Sequence, residues 1–502
     1  MTDSSKAKDL DTLREMNRLL EVENERLHKR LAELSSENAE LKGEKGPEQL
    51  ALELGALREQ LNQYQRRVYG DSSERRPRED KPPKETSTPR GHGPTPQDTL
   101  PRIDTLVELA EDDRVCRVCS GDLEAIEGAT EDSELIDVIE RQFLVRTIKR
   151  QKYRCSCNSY IFVAPPSARH ISGGRYSLDF GAHCLTRKYA WSEPLDRQRR
   201  SMEQDGLKVT TQTLWDQIEA IARKLEPVYD ALREHIVGAD VIGVDETWWR
   251  LMDRKQAKRW WVWAMQSQDA VYFRTEPSRS AATAAKLLAD FDGTVVCDGY
   301  KAYETLQKRN ASLRLALCWA HVRRKFIEAE PYHPECSRAI ELLGDLFGID
   351  HETEDPTLLE GETKRAAAEA RHALRNERGP PILEALHEWA LAQRGLPKSA
   401  LRKAIDYMLG HWKPLRAFLE DPFVPLDNNA TERALRAVVL GRKNHYGSRS
   451  VRGTEVAAIC YSLVESAKLN SLDPQGYIRA AVYGIELEMP VERLLPLRDL
   501  WA

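Results

Sequence analysis

Three acidic segments have residue types and surroundings suited to chemistry: Val-Ile-Gly-Val-Asp245-Glu246-Thr247, Val-Val-Cys-Asp298-Gly299-Tyr300 and Leu-Asp427-Asn428-Asn429-Ala-Thr-Glu432-Arg433. In the first two, a β-branched run ends on a carboxylate, which predicts an Asp at the tip of a strand. The third predicts a helix N-terminus carrying a Glu. Two Asp from strand ends and one Glu from a helix form the donor set with which phosphoryl-transfer enzymes hold two Mg²⁺ ions. Asp245, Asp298 and Glu432 are therefore the candidate catalytic residues and the candidate ligands of Mg²⁺ or Mn²⁺. The chemistry implied is cutting and rejoining nucleic acid.

The elements that must position these groups are legible around them. The pattern predicts strands at 241–244, 259–265, 271–275, 294–297 and 313–317, with helices at 281–291 and from 320 onward. By analogy this is the order of a ribonuclease-H-like fold, in which the first and fourth strands lie side by side. Between Phe326 and Asp427 the chain reads as helical and is too long for a bare loop, so an all-α insertion is expected there. Prolines, including Gly379-Pro380-Pro381, should break its helices. Residues 433–452 hold six Lys or Arg and no acid. Among them Arg433, Arg436, Arg442 and Lys443 are expected to bind a phosphate backbone, with His445 and Tyr446 placed to stack on an unpaired base. Cys318 and His321 should share a helix face. They are too few for a zinc site alone and are read as support for the wall of the active site.

Upstream, Leu13, Leu20, Leu27, Leu34 and Leu41 recur every seven residues, with Asn17, Asn24 and Asn38 at the flanking a positions. That is the pattern of a parallel dimeric coiled coil. A Pro-rich, charged stretch follows and reads as a linker. Cys116-Arg-Val-Cys119 and Cys155-Ser-Cys157 offer four thiolates for a structural Zn²⁺ in a small β module. The second pair is tighter than usual. Two helices joined at Asp205-Gly206 make a helix-turn-helix candidate, with Arg197, Arg199 and Arg200 facing phosphates.

Composition bounds the rest. A length of 502 residues fits about three domains or more. The net charge of -5 does not announce a nucleic-acid binder, so any DNA contact must come from local basic patches. Nine Cys without a signal-like start favour reduced thiols in a cytosol. No apolar run approaches a membrane span. The expected organisation is a multidomain α/β chain: coiled coil 1–69, linker 70–103, zinc-binding module 104–170, helical DNA-binding segment 171–238, catalytic core 239–329, all-α insertion 330–425, and the last part of the core with C-terminal helices 426–502.

The motifs together identify a family. Val68-Tyr69-Gly70-Asp71-Ser72-Ser73-Glu74-Arg75, the Cys-rich segment, Pro194-Leu195-Asp196-Arg197-Gln198, Val244-Asp245-Glu246-Thr247, Cys297-Asp298-Gly299-Tyr300, Cys318-Trp319-Ala320-His321 and Asp427-Asn428-Asn429-Ala-Thr-Glu432-Arg433 stand in family order. The chain resembles transposases of the insertion-sequence-66 family, within the DDE class. The resemblance implies a DDE triad of Asp245, Asp298 and Glu432 acting in DNA strand cleavage and strand transfer. It also implies binding to terminal inverted repeats and target DNA, a homodimer or higher assembly, accessory proteins of the same element, and a bacterial cytoplasmic location. A nuclease of the same fold that only cleaves, or a DNA-binding regulator without catalysis, would carry many of the same features.

Overall fold

The computed structural model describes residues 143–154, 161–163, 170–171, 173–253, 256–308, 310, 312–394 and 398–501. The expected coiled coil, the linker and the zinc ligands Cys116, Cys119, Cys155 and Cys157 lie outside the described residues. Of the small β module, the described part is a hairpin of β1 (Lys152–Arg154) and β2 (Ile161–Val163), antiparallel with Tyr153 opposite Phe162.

Four helices precede the main sheet: α1 (Leu178–Tyr189), α2 (Leu195–Gln204), α3 (Thr211–Lys224) and α4 (Glu226–Val237). Thr210 caps α3 by accepting the Thr213 N–H at 3.1 Å, which supplies one donor at the helix start with a partner. Gly206 turns the chain between α2 and α3 at φ +84°, a conformation open to glycine without steric cost.

β3 (Val241–Asp253), β4 (Gln256–Gln266), β5 (Val271–Glu276), β6 (Thr294–Cys297) and β7 (Arg314–Leu317) form a five-stranded mixed sheet in the order β5-β4-β3-β6-β7. β4 pairs antiparallel with β3 and with β5, whereas β6 pairs parallel with β3 and with β7. The crossovers to β6 and β7 carry α5 (Ala281–Leu287) and α6 (Lys301–Gln307), as parallel strands require.

β3 is longer than its sequence suggested. It was expected to stop at Asp245 but continues to Asp253. Thr247, Trp248 and Trp249 suit a pleated surface, and they pair with Val262, Trp261 and Trp260 of β4. β6 leaves β3 after Gly243, so the far edge of β3 is taken up by a later segment. Ser448 donates its N–H to Arg250 at 3.0 Å, and Met252 donates to Ser448 at 2.7 Å.

After β7 come α7 (Trp319–Ala329), α8 (Cys336–His351), α9 (Gly361–Ala392), α10 (Ala400–Gly410) and α11 (Trp412–Leu415). The chain then returns to the sheet through α12 (Asn429–His445) and ends in α13 (Val451–Leu469), α14 (Pro474–Glu486) and α15 (Arg498–Trp501). None of the described helices is long and apolar enough to cross a membrane. α13 covers the exposed edge of the sheet: Ser466 and Ser462 accept the N–H groups of Val271 and Phe273 at 2.9 and 2.8 Å. A sheet edge finished in this way offers no unpaired strand to another chain.

The helix break expected at Gly379-Pro380-Pro381 does not occur, because α9 runs through it. Packing outweighs the two lost N–H donors. Leu383, Leu386 and Ala390 are buried beyond the prolines, and Gly379 gives room to Leu419, which a Cβ would approach to 2.9 Å.

Arg375 of α9 is the anchor of the insertion. Its side chain is fully buried. It donates two bonds to Asp350 and others to the carbonyls of Phe418 and Val424, both at 3.0 Å. Burial alone would push the Asp350 carboxyl up, but Arg375 and Arg371 outweigh it and hold the carboxyl below its ordinary value. Arg375→Met should therefore destabilise the protein by about 3–5 kcal/mol at neutral pH, because it leaves the Asp350 carboxylate with Arg371 alone and the Phe418 and Val424 carbonyls without their donor. A depressed carboxyl stabilises above its unfolded pKa and loses that contribution as pH falls through the folded one. The gap between variant and wild type in denaturant melts should narrow below about pH 4.

Candidate active site

Asp245 stands two residues past the last β3–β6 pair, Gly243 with Val296. Asp298 directly follows β6. β6 stops at Cys297 while β3 runs on, and their parallel register brings Asp245 and Asp298 side by side where β6 leaves β3. Glu432 lies in the first turn of α12, whose N-cap is Asn428.

The approach of α12 depends on Gly243. A Cβ there would collide with Thr431 Oγ1 and come within 2.7 Å of Asn428 Oδ1. Asn428 is buried. It donates from Nδ2 to the Val244 carbonyl at 3.0 Å and from its backbone to Cys318 Sγ at 3.3 Å. Trp319 donates its N–H to the Leu426 carbonyl at 2.8 Å. Together these bonds fix the segment before α12 between β3 and the start of α7.

The carboxylates feel one another. Burial is the largest cause that pushes the Asp245 carboxyl up to about 7, and repulsion from Glu246, Asp298 and Glu432 adds to it. Asp245 Oδ1 accepts the Glu246 N–H at 2.8 Å, and Asp298 Oδ1 accepts the Tyr300 N–H at 2.9 Å. Glu432 Oε1 is buried without a hydrogen-bond partner. Buried polar atoms rarely go unpartnered. Oxygen donors under mutual repulsion are of the type a hard divalent cation takes, while among the described residues the group whose ligand atoms lie within 4.8 Å of one another is Cys318, His321 and Glu432.

Glu246 has a different task from its neighbour. Strand alternation puts it on the other face of the sheet. There its buried carboxylate accepts bonds from Arg279 Nε and, at 2.7 Å, from Tyr303 Oη. Arg279 lies 4.0 Å over the ring of Tyr300. The contact ties β3 to the loop that carries Asp298. Tyr407 braces that loop from the insertion, accepting the Gly299 N–H at 3.1 Å. Sequence reasoning missed Arg279, Tyr303 and Tyr407 as supports. Only the acidic pair in Asp245-Glu246 was a local signal, and these partners lie on distant elements.

The expected DNA-binding residues divide into two groups. Arg433, Arg436 and Lys443 are exposed along α12 beside Glu432. Arg442 departs from the expectation. It is nearly buried, donates to Thr247 Oγ1 at 3.1 Å and to the Trp248 carbonyl, and lies 3.8 Å over the Trp248 ring. It clamps α12 to β3 instead of facing a phosphate. His445 also turns inward, 5.8 Å from the Trp249 ring, and burial pushes it down to about 3. Tyr446 stays exposed, with a left-handed backbone at the end of α12. On α2, Arg197 is exposed, while Arg199 pairs with Asp196 and Glu203, and Arg200 pairs with Asp196. The positive face expected on that helix is thus partly neutralised within it. Cys318 is the buried N-cap of α7, and His321, in the first turn, comes to 3.6 Å from Glu432 Oε1.

Comparison with known proteins gives the family. The family model described as Transposase IS66 family matches residues 173–456. The chain is 34% identical over 422 residues to the uncharacterised protein y4jD of Sinorhizobium fredii (strain NBRC 101917 / NGR234), covering 79% of this chain and 80% of that one. It is 28% identical over 418 residues to y4hP of the same organism, covering 78% and 73%. A family model that spans more than half of the chain, and a relative that matches most of both lengths, carry one conclusion: the chain belongs to the transposase IS66 family.

Proposed function

We propose that this transposase cleaves and joins DNA strands at a site made by Asp245, Asp298 and Glu432. The observation that carries the reading is the convergence of β3, the end of β6 and the first turn of α12, with Asp298 and Glu432 both acting on the Asp245 carboxyl. The strand order β5-β4-β3-β6-β7 supports a ribonuclease-H-like core. When bound, a pair of Mg²⁺ or Mn²⁺ ions would supply charge neutralisation and an activated oxygen nucleophile.

The rest of the task falls to side chains. Asp245, Asp298 and Glu432 would hold the cations. Glu246, Arg279 and Tyr303 keep the strand and the Asp298 loop in place. Arg433, Arg436 and Lys443 would draw the phosphate backbone along α12. The zipper in 1–69 would pair two chains. The thiolates Cys116, Cys119, Cys155 and Cys157 would hold structural zinc.

Glu432→Gln or Asp298→Asn should abolish movement of a marked element in cells at matched protein level, with binding to the element's ends retained. Unchanged movement would remove that residue from the site. Metal binding supplies a separate readout. The Asp245 carboxyl is raised, so its contribution to stability is complete below the ordinary carboxylate range and lost as pH rises through about 7. A cation relieves that loss. Mg²⁺ should therefore raise the melting temperature more at pH 8 than at pH 6, and Asp245→Asn should erase the difference.

Gly243→Ala tests the junction itself. A Cβ that would collide with Thr431 Oγ1 must push α12 away by about an ångström, which should lower transposition by about 100-fold. Overpacking should cost about 1–3 kcal/mol in melts. Wild-type transposition in Gly243→Ala would show that the close approach of α12 is not needed.

A further inference from the structure

Cys318, His321 and Glu432 differ from the acidic trio in donor chemistry. A thiol, an imidazole and a carboxylate meet here, with one ligand atom of each all lying within 4.8 Å of one another. The start of α7 supplies the first two groups, and the first turn of α12 supplies the third. Local sequence offers only the Cys-His pair. The return of the chain after the insertion adds the Glu.

These groups are not satisfied by the protein alone. His321 Nδ1 and Glu432 Oε1 are both buried and have no hydrogen-bond partner. Across the gap, His321 Nε2 and Glu432 Oε1 are 3.6 Å apart, too far for a hydrogen bond. The other oxygen of Glu432 faces Arg324 at 3.8 Å, so Oε1 is the atom left toward the cluster. The Cys318 sulfur accepts the Asn428 N–H at 3.3 Å and also the backbone N–H of His321. Burial pushes the Cys318 thiol up to about 12, and these two amide donors offset part of that rise, so a metal must displace the thiol proton.

We propose that Cys318, His321 and Glu432 bind a thiophilic divalent cation of the zinc class, at a site that competes with Asp245 and Asp298 for Glu432. Sulfur, nitrogen and oxygen around one open position form a donor set for Zn²⁺, whereas Mg²⁺ takes oxygen alone. As the metal–sulfur bond forms, the thiol proton passes to solvent. The fourth position is left to water. Binding itself needs nothing from the strand-transfer reading. Only its inhibitory consequence rests on that reading, because one Glu432 side chain cannot serve both sites at once.

The test counts zinc. The full chain is dialysed against buffered Zn²⁺, and bound metal per chain is measured for wild type, Cys318→Ser, His321→Gln and Glu432→Gln. The thiolates Cys116, Cys119, Cys155 and Cys157 are common to all four proteins and cancel in the comparison. Cys318→Ser and His321→Gln should each bind about one zinc fewer than wild type, with melting curves recorded as the check on folding. Equal counts in folded variants would overturn the proposal. Cys318 is fully buried and its variant is the one at risk of misfolding. His321 and Glu432 are half-buried, so their variants carry the test if Cys318→Ser melts early. In Mg²⁺-supported strand transfer, added Zn²⁺ should inhibit wild type over the concentration range in which the zinc lost from His321→Gln binds. Unchanged zinc counts beside an inactive Glu432→Gln would sink this inference alone. A lowered count beside an active Glu432→Gln would sink the acidic-trio reading alone.

Discussion

The contact between Gly243 and the start of α12 is the constraint on which the rest of the structure depends. Glu432 reaches the sheet only after the chain has left it at β7, built several helices and come back. Nothing local guides that return. The guidance comes from a glycine whose missing side chain makes room for Thr431 and Asn428. Asn428 then uses its side chain on β3 and its backbone on Cys318. Buried amide bonds of this kind are costly to leave unmade, so the segment has one favoured position. Arg442 repeats the device further along α12 by donating to Thr247 and Trp248. The helix is thus fastened to the same strand at two places.

The insertion belongs to that constraint. Arg375 gathers Asp350 from α8 and carbonyls from the segment around Phe418 and Val424. That segment leads directly into Leu426 and Asn428. Tyr407 accepts the Gly299 N–H beside Asp298, and the Trp319 indole donates to the Leu415 carbonyl at 2.7 Å. The helices between β7 and α12 therefore act on the acidic groups from the second and third sides, through hydrogen bonds as well as apolar packing. This makes a long insertion compatible with a site that must be held to within a fraction of an ångström.

Much of this was legible in the residues, for physical reasons that can be named. β-branched runs ending on Asp245 and Asp298 identified the strands, because their period and composition are local properties. Asp427-Asn428-Asn429 marks a helix start for the same reason. The failures share a cause. β3 was cut short because a charged residue looked like an end, whereas Trp248 and Trp249 pair across to Trp261 and Trp260. α9 was broken on paper at Pro380 and Pro381, although packing on both sides of the prolines holds it together. Arg442 and His445 were read as surface groups from a run of basic residues, yet helical periodicity turns both inward. In each case a long-range contact overrode a local preference.

The inward turn of Arg442 changes how the charge around the site works. A basic run beside three carboxylates reads as a cloud of positive charge. In the fold it separates into a buried clamp and an exposed row of Arg433, Arg436 and Lys443. The separation matters because a side-chain cation that neutralised the carboxylates would compete with the metal ions proposed for the trio. Arg279 is similarly occupied on the opposite face of the sheet, bonded to Glu246 and stacked on Tyr300. Arg324 approaches Glu432 only to 3.8 Å. The protein thus keeps its fixed positive charge beside the acidic groups without quenching them, and Asp245 carries the consequence as a carboxyl held far above its ordinary range. Burial contributes most to that rise, and repulsion from Glu246, Asp298 and Glu432 adds to it, a combination that the proposed metal ions would relieve.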